Sequence, residues 1–442
     1  MKKQWIAGLA VSASAAMILT SCSTTPSSGG SSGQPGDNPE TITVYGAPTG
    51  DEQAQWEASW AAYAKANGLN IEYTGDLDFS TNISTKIQGN ATPDIALFPQ
   101  PGLMKAAIAT GKVQPLDDAT AATVKQNFTQ DWQSNGTVDG KQYAVPITAA
   151  AKGYIWYSPS QFAQWGVTVP KTWDELVKLT ATIRSKTNKP VWCAGFGAGD
   201  ASGWPGTDQI AEYVLSSAGP ATYDKWVAGD VKFTDKPIAD AFSALGQILL
   251  NPDYVNAGFG DVASINSTKF SDVAVPLASG ECALTNQATF LEAFFVNTKT
   301  AAGTTPTVAP DGDVWAFMMP PVGGKVSVMG GGDFAAAFSD RPAVAKFMNY
   351  LASGDHANSL ITVPGATFIT ANQAVDVSKE ADPLLADAIK TLKDPNTTFR
   401  FGAGDSMPAV VQQAFWKGTI DWINGTDQAT ALAQVQAAWA DV

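Results

Sequence analysis

Between Thr41 and Phe98 the chain runs strand, helix, strand, then helix and strand again, an order that commits it to a parallel sheet. Thr41 to Ala47 alternates Ile42 and Val44 against Thr41, Thr43 and Tyr45, the two-residue period of a half-buried strand. A helix follows, with Asp51 and Glu52 in its first turn and Trp56, Trp60, Tyr63 and Ala64 on one stripe. Lys65 falls in its last turn and Gly68 stops it. Leu69 to Thr74 reads as the next strand. Ile83 and Ile87 mark a second helix that ends at Gly89, and Asp94 to Phe98 is a short apolar run suited to a buried strand. Parallel neighbours need a crossover, and here each crossover is a helix, so the fold class is α/β. Later amphipathic stretches agree: Trp173 to Ile183, which Thr172 can cap, then Ile238 to Leu250, Ala343 to Leu351 and Ala429 to Trp439. No internal repeat of 20 to 50 residues is present, which excludes a solenoid or propeller.

The N-terminus carries a different message. Lys2 and Lys3 precede an uncharged, apolar or small stretch from Ile6 to Leu19, too short for a comfortable membrane span. Leu19, Thr20, Ser21 and Cys22 close it in the pattern of a bacterial lipobox, so residues 1–21 read as a lipoprotein signal peptide and Cys22 as the lipidated residue. Residues 22–39 are nearly all Ser, Thr, Gly, Pro and Gln, a composition that buries too little to offset ordering its backbone, and read as a flexible tether. The protein is expected on the cell membrane, lipid-anchored on the extracytoplasmic side.

Charge and composition then remove whole classes of function. A formal net charge of −14 leaves no basic stripe for nucleic acid or an anionic membrane surface. The one histidine, His356, is too few for a His-rich zinc site and reads as a solvated loop or helix-end residue. No GxSxG, HExxH or GxxxxGK[ST] motif occurs, and Gly330-Gly331-Gly332-Asp333 lacks the spacing of a dinucleotide fingerprint. No cofactor or metal is expected. Besides Cys22, the cysteines are Cys193 and Cys282, an even pair outside the cytoplasm; they read as a disulfide, with two separate buried thiols as the alternative.

What remains for function is aromatic and polar. Trp204 stands in Ala201-Ser202-Gly203-Trp204-Pro205-Gly206-Thr207-Asp208, which reads as a turn, and a flat indole there can stack on the apolar face of a sugar ring. Trp56 and Trp60 instead read as core. Asn82-Ile83 and Lys86 through Ile95, with Pro93-Asp94-Ile95 after the helix stop, resemble the carbohydrate-binding lipoproteins of ABC importers. Asp139-Gly140-Lys141-Gln142-Tyr143-Ala144-Val145-Pro146, Trp156-Tyr157-Ser158, Gly166-Val167 and Pro170 through Leu176 follow in that family's order. Within it, Trp192-Cys193-Ala194-Gly195, Gly203 to Asp208, Tyr223 to Val227, Glu281-Cys282, Gln287-Ala288 and Phe399-Arg400-Phe401 with Asp405, Met407 and Pro408 are similar to the α-glucoside-binding branch. That branch carries the same cysteine pair. The missing acidic residue straight after Phe401 and the weakly polar Thr148 to Ala151 depart from its pattern.

The resemblance implies a two-lobed periplasmic-binding-protein-like fold with a hinge and a ligand cleft between lobes. Lobe 1 would comprise 40–149 and 332–355, and lobe 2 would comprise 150–331 and 356–442, the chain crossing near Ala150, near Gly331 and again after Ser353. Trp204 would stack on sugar with Lys152, Gln287, Arg400 and Asp405 nearby and Asp333 across the hinge; Asp51 and Gln100, in loops after first-lobe strands, complete the candidate set. The partners implied are an α-glucoside or related oligosaccharide, the permease subunits of an ABC importer and the membrane through lipid on Cys22, with the protein a non-catalytic monomer. The competing reading is a surface-anchored glycoside hydrolase, which needs two carboxylates and no histidine.

Overall fold

The alternation at Thr41 becomes strand β1 (Glu40–Gly46), and the apolar runs after it become β2 (Leu69–Gly75) and β3 (Ile95–Phe98). The computed structural model describes residues 39–256, 259–296, 299–300, 303–323, 327–394 and 397–442; the expected signal peptide, Cys22 and the tether to residue 38 lie outside the described residues. A small hairpin, β4 (Thr137–Val138) and β5 (Lys141–Gln142), precedes β6 (Ala144–Pro146). Next come β7 (Ala150–Ala151), β8 (Tyr154–Tyr157), β9 (Leu284–Gln287) and β10 (Trp315–Met318). Strands β11 (Val328–Gly331), β12 (Phe334–Ala337) and β13 (Phe399–Phe401) complete the set.

One sheet has the order β2-β1-β3-β12-β6. Its β1 pairs in parallel with β2 and β3, each joined through a helix, Gly50–Ala66 and Phe79–Gln88, as the crossover argument requires. β12 enters from far along the chain and lies antiparallel to β3 and β6, its Phe-Ala-Ala-Ala sequence fully buried. Two three-stranded sheets, β10-β8-β9 and β13-β11-β7, make up the rest. Two of the passages between sheets run side by side: β6 leads to β7 and β11 leads to β12, and β7 and β11 are paired with Ala151 opposite Gly330, while a third passage lies between β12 and β13.

Beneath the first sheet Trp56 and Trp60 are buried, and Trp60 meets Phe347 edge-on at 5.7 Å. The same core takes residues past Ser353, contrary to the expected third crossing there. Ser353 caps the helix Gly354–Ile361, whose apolar face of Ala357, Leu360 and Ile361 packs on Gly50–Ala66. Helix Pro383–Lys393 buries Leu384, Leu385, Ala388 and Ile389 and packs beside Thr289–Leu291, so the chain has left the first sheet by that helix and crosses after Gly354–Ile361 rather than at Ser353. His356 is likewise not solvated. It is 1 % exposed, its Nδ1 lies 3.2 Å from the Leu351 carbonyl oxygen, and burial pushes its pKa down to about 4, which leaves it a neutral core residue. The second core gathers Trp226, Phe233, Phe242, Phe415 and Trp422 around the helices Trp204–Ala218, Lys236–Leu249 and Ala409–Ile423. Cys193 and Cys282 are bridged, with Cα atoms 5.7 Å apart, which removes the two-thiol alternative.

Candidate functional site

Trp204 is not in a turn. It is the first residue of the helix Trp204–Ala218, with Gly203 at the N-cap and Pro205 in the first turn, where proline costs no hydrogen bond. Counting on from Trp204 by four gives Asp208 and Glu212, so an indole and two carboxyls share one helix face. Opposite that face Lys152, which follows β7, donates from Nζ to Asp208 Oδ1 and to Asp405 Oδ2, both at 2.8 Å. The ammonium also stands 5.8 Å from the centre of the Trp204 ring, within cation–π reach. Phe270 and Phe290 hold the indole edge-on at 5.2 and 5.9 Å, leaving it partly exposed. Gly402 closes over the trio: a Cβ there would lie 2.7 Å from Asp405 Oδ2 and 3.1 Å from Lys152 Nζ, so any side chain would push the ions apart.

The charges are unevenly matched. Burial works against the Lys152 ammonium, but Asp208 and Asp405 overcome it and hold its pKa above the usual lysine value. The pulls on Asp208 oppose each other: burial raises it, Lys152 lowers it and Asp405 raises it, and the net is upward because one lysine is shared between two carboxylates. Glu212 fares worst. It is 5 % exposed, neither carboxyl oxygen has a hydrogen-bond partner, and burial, with Asp208 adding, pushes its pKa to about 8. Asn286 lies near it but outside hydrogen-bonding geometry. Behind Lys152 and Glu212 a small cavity of ≈ 40 Å³, bounded also by Ser216 and Met329, has room for one or two waters.

The expected residues separate into groups. Lys152, Trp204 and Asp405 come together. Asp333, just past β11, accepts a hydrogen bond from Thr148 Oγ1 at 2.7 Å; burial raises its pKa and the charge of Asp405 adds to that, so the two carboxylates sense each other. Gln287 is buried at the end of β9 and its Oε1 accepts from Ala288 N at 2.9 Å. Gln100 is the N-cap of helix Pro101–Ala109, buried with its Oε1 unpartnered, and that helix packs on the turn of helix Ala403–Ser406 that carries Asp405. Asp51 is exposed in the first turn of Gly50–Ala66 rather than in a loop. Arg400 is drawn elsewhere, its Nε and Nη2 gripping Asp224 at 2.6 and 2.8 Å.

Three residues at this locus were missed by sequence reasoning. Asp208 and Glu212 were legible in the four-residue spacing from Trp204, had Gly203-Trp204-Pro205 been read as a helix start instead of a turn. Glu52 was visible only as a first-turn acid. Burial and then Asp333 raise its carboxyl, although it presents open surface, and water on that side limits the shift. Each of Glu52, Asp333, Asp405, Asp208 and Glu212 thus senses the charge of the next or the one before, and within that run Lys152 bonds Asp208 and Asp405 and its charge reaches Glu212. Such an array offers directional acceptors and one donor beside an aromatic face, which suits hydroxyl groups.

Over residues 46–356 the chain matches the family described as bacterial extracellular solute-binding protein. It is 32 % identical over 430 residues to the osmoprotective compounds-binding protein GgtB of Synechocystis sp., covering 96 % of each chain. It is 33 % identical over 414 residues to the alpha-glucosides-binding periplasmic protein AglE of Rhizobium meliloti, covering 90 % of this chain and 87 % of AglE. Among solved structures it superposes on a chitin oligosaccharide binding protein with a TM-score of 0.75 at 18 % identity, covering 91 % of this chain and 99 % of that one, a likeness of fold. The fold is the periplasmic-binding-protein-like α/β fold expected from the motifs, and nothing in these relatives supports the hydrolase alternative. The chain belongs to the bacterial extracellular solute-binding protein family.

Proposed function

We propose that this protein captures an α-glucoside or related oligosaccharide beside Trp204 and delivers it, unaltered, to the membrane permease of an ABC importer. The observation that carries this reading is the partly exposed indole of Trp204, fixed by Phe270 and Phe290 next to the Lys152, Asp208 and Asp405 trio. An aromatic face supplies apolar contact to a pyranose while carboxylates and an ammonium address its hydroxyls. A relative named for binding α-glucosides, similar over nine-tenths of this chain, supports the sugar class. The two side-by-side passages between sheets, β6 to β7 and β11 to β12, suit a hinge about which the two parts close on ligand. Lipid on Cys22 would keep a monomeric receptor near its permease on the extracytoplasmic side.

A thermal-shift screen against α- and β-linked oligosaccharides tests the reading, because a ligand that binds only the native state raises the melting temperature. A set of α-linked sugars should stabilise the protein and be recovered intact. No shift with any sugar, or cleavage of the bound one, would count against it. Trp204→Ala should then weaken the best ligand by about 1–3 kcal/mol, roughly 5- to 150-fold, as read by calorimetry. Unchanged affinity would remove Trp204 from the site.

A further inference from the structure

Helix Phe79–Gln88 begins without a cap of its own. Asp78 stands at its N-cap, but the backbone there is at φ −99°, ψ 30°, outside the extended conformation from which a capping side chain turns back, and its carboxylate takes no capping bond. The acceptor comes from 119 residues further on. Thr81, third in the helix, donates its N–H to Asp200 Oδ2 at 2.9 Å, the bond an N-cap side chain ordinarily makes, and a carboxylate there also suits the positive end of the helix.

The two partners belong to different cores. Phe79, Ile83 and Ile87 root the helix in the first core, whereas Asp200 stands between Phe196 and helix Trp204–Ala218, both of the second. Each half is held in shape by bonds within its own part. Asp76 accepts from Tyr45 Oη, from Asn82 Nδ2 at 2.8 Å and from Asp78 N at 2.9 Å, which fixes the turn leading into the helix. On the other side Ser202 Oγ accepts from Ala198 N at 2.9 Å and donates to the Gly199 carbonyl oxygen at 2.7 Å, which fixes the turn that presents Asp200. Two halves shaped in advance lose little conformational freedom on joining.

A second meeting point spans the same division. Gly102 lies in the first turn of helix Pro101–Ala109, whose Leu103 and Met104 sit in the first core, and it rests on Met407 of the second. A Cβ on Gly102 would fall 1.8 Å from the Met407 carbonyl oxygen and 3.4 Å from that of Asp405. Backbone opposes backbone there, so no side-chain rotation could make room and only glycine seats. Because Asp405 belongs to the Lys152 trio, this seat also sets how closely the first core approaches the trio.

We infer that Asp200 and Gly102 are positioning residues that clasp the two parts together over the ligand, setting how long a sugar is held without touching it. The inference rests on the hinged-capture reading and assigns closure to two contacts made by this chain alone.

Small-angle scattering of the ligand-free protein, and stopped-flow binding of maltose, sucrose and trehalose, test it on the native protein and on Asp200→Ala, Asp200→Asn and Gly102→Ala. Asp200→Ala removes the acceptor. It should enlarge the radius of gyration and speed dissociation of the bound sugar about fivefold, the worth of one helix cap, with the association rate unchanged. Asp200→Asn keeps an oxygen that can accept from Thr81 N–H and should return both readings toward native. Gly102→Ala should expand the protein further than Asp200→Ala, because the seat can no longer close. Native scattering and native dissociation in Asp200→Ala would overturn the clasp. So would a lowered melting temperature in that variant with neither of those readings moved, since the bond would then be only a local cap. If the native protein binds none of the three sugars, the sugar-capture reading loses its support, while the scattering comparison still decides the clasp.

Discussion

Replacing Glu212 by Gln should stabilise the protein in alkaline solution and leave it nearly unchanged in acid. The side chain is 5 % exposed with neither oxygen hydrogen-bonded, and its one cationic neighbour, Lys152, is already held by two other carboxylates. Burial first and Asp208 second push its pKa from 4.5 to about 8, with Lys152 and Asn286 opposing. The folded state therefore holds this proton more tightly than the unfolded chain does. Its contribution to stability is complete below pH 4.5, erodes as pH rises, and is lost above pH 8. At about 1.4 kcal/mol per tenfold in proton affinity, the full swing is roughly 3–5 kcal/mol. Glutamine keeps the shape and never ionises. Urea unfolding followed by tryptophan fluorescence from pH 4 to pH 9 should show the two proteins equal at the acid end, with the variant ahead by most of that amount at the alkaline end. Buried acids that do not sense Glu212 titrate alike in both proteins and cancel in the difference, while Asp208, relieved of the Glu212 charge, adds to the variant's gain at the alkaline end. Parallel profiles across the whole range would refute the argument and mean that Glu212 is solvated or paired.

Three further outcomes follow from the same physical chemistry. Lys152→Met leaves Asp208 and Asp405 facing each other without a cation and should cost about 3–5 kcal/mol, less at pH 5 than at pH 8 because a carboxylate can take up a proton; equal urea midpoints at both values would show the trio to be energetically idle. Cys193→Ser/Cys282→Ser opens a loop spanning a sequence separation of 89; by loop-closure entropy this should lower stability by about 4–5 kcal/mol, and two reactive thiols in unreduced, denatured Cys22→Ser protein would deny the bridge altogether. Cys22→Ser should release the protein from membranes into the soluble fraction, and unchanged retention would dismiss the lipid anchor.

The local parts of the fold were legible because their causes are local. Thr41 to Ala47 has a strand's period, Thr172 caps its helix by accepting from Glu175 N, and the crossover helices carry the apolar stripes of Trp56 with Trp60 and Ile83 with Ile87. What escaped depends on partners far along the chain. Strand β12 reads as four residues of Phe and Ala with no alternation, and only its pairing with β3 and β6 makes it the fourth strand of the first sheet. The segment after Ser353 went to the wrong core because an amphipathic helix records that it has a buried face, not which surface buries it. Gly50–Ala66 supplies that surface from 300 residues away.

The candidate site has the same division, and its assembly explains why some of the expected residues come together and others do not. Lys152 follows β7, Asp333 follows β11 and Asp405 follows β13, and these three strands form one small sheet in the order β13-β11-β7. Pairing delivers to one place residues separated by up to 253 positions. Each was recognisable singly from its motif, but their mutual charge was not, because no local spacing encodes it. Arg400 marks the limit of that reasoning. It sits inside β13, the strand that leads to Asp405, between Phe399 and Phe401, yet its side chain closes on Asp224 of helix Pro220–Val227. In a strand, successive side chains take opposite faces, so a motif can place a residue in the right strand and still leave its face undecided. For Asp208 and Glu212 the missing step was smaller: once Pro205 is taken as the first turn of a helix, Trp204, Asp208 and Glu212 fall on one face, and the partly exposed indole comes with two carboxyls beside it.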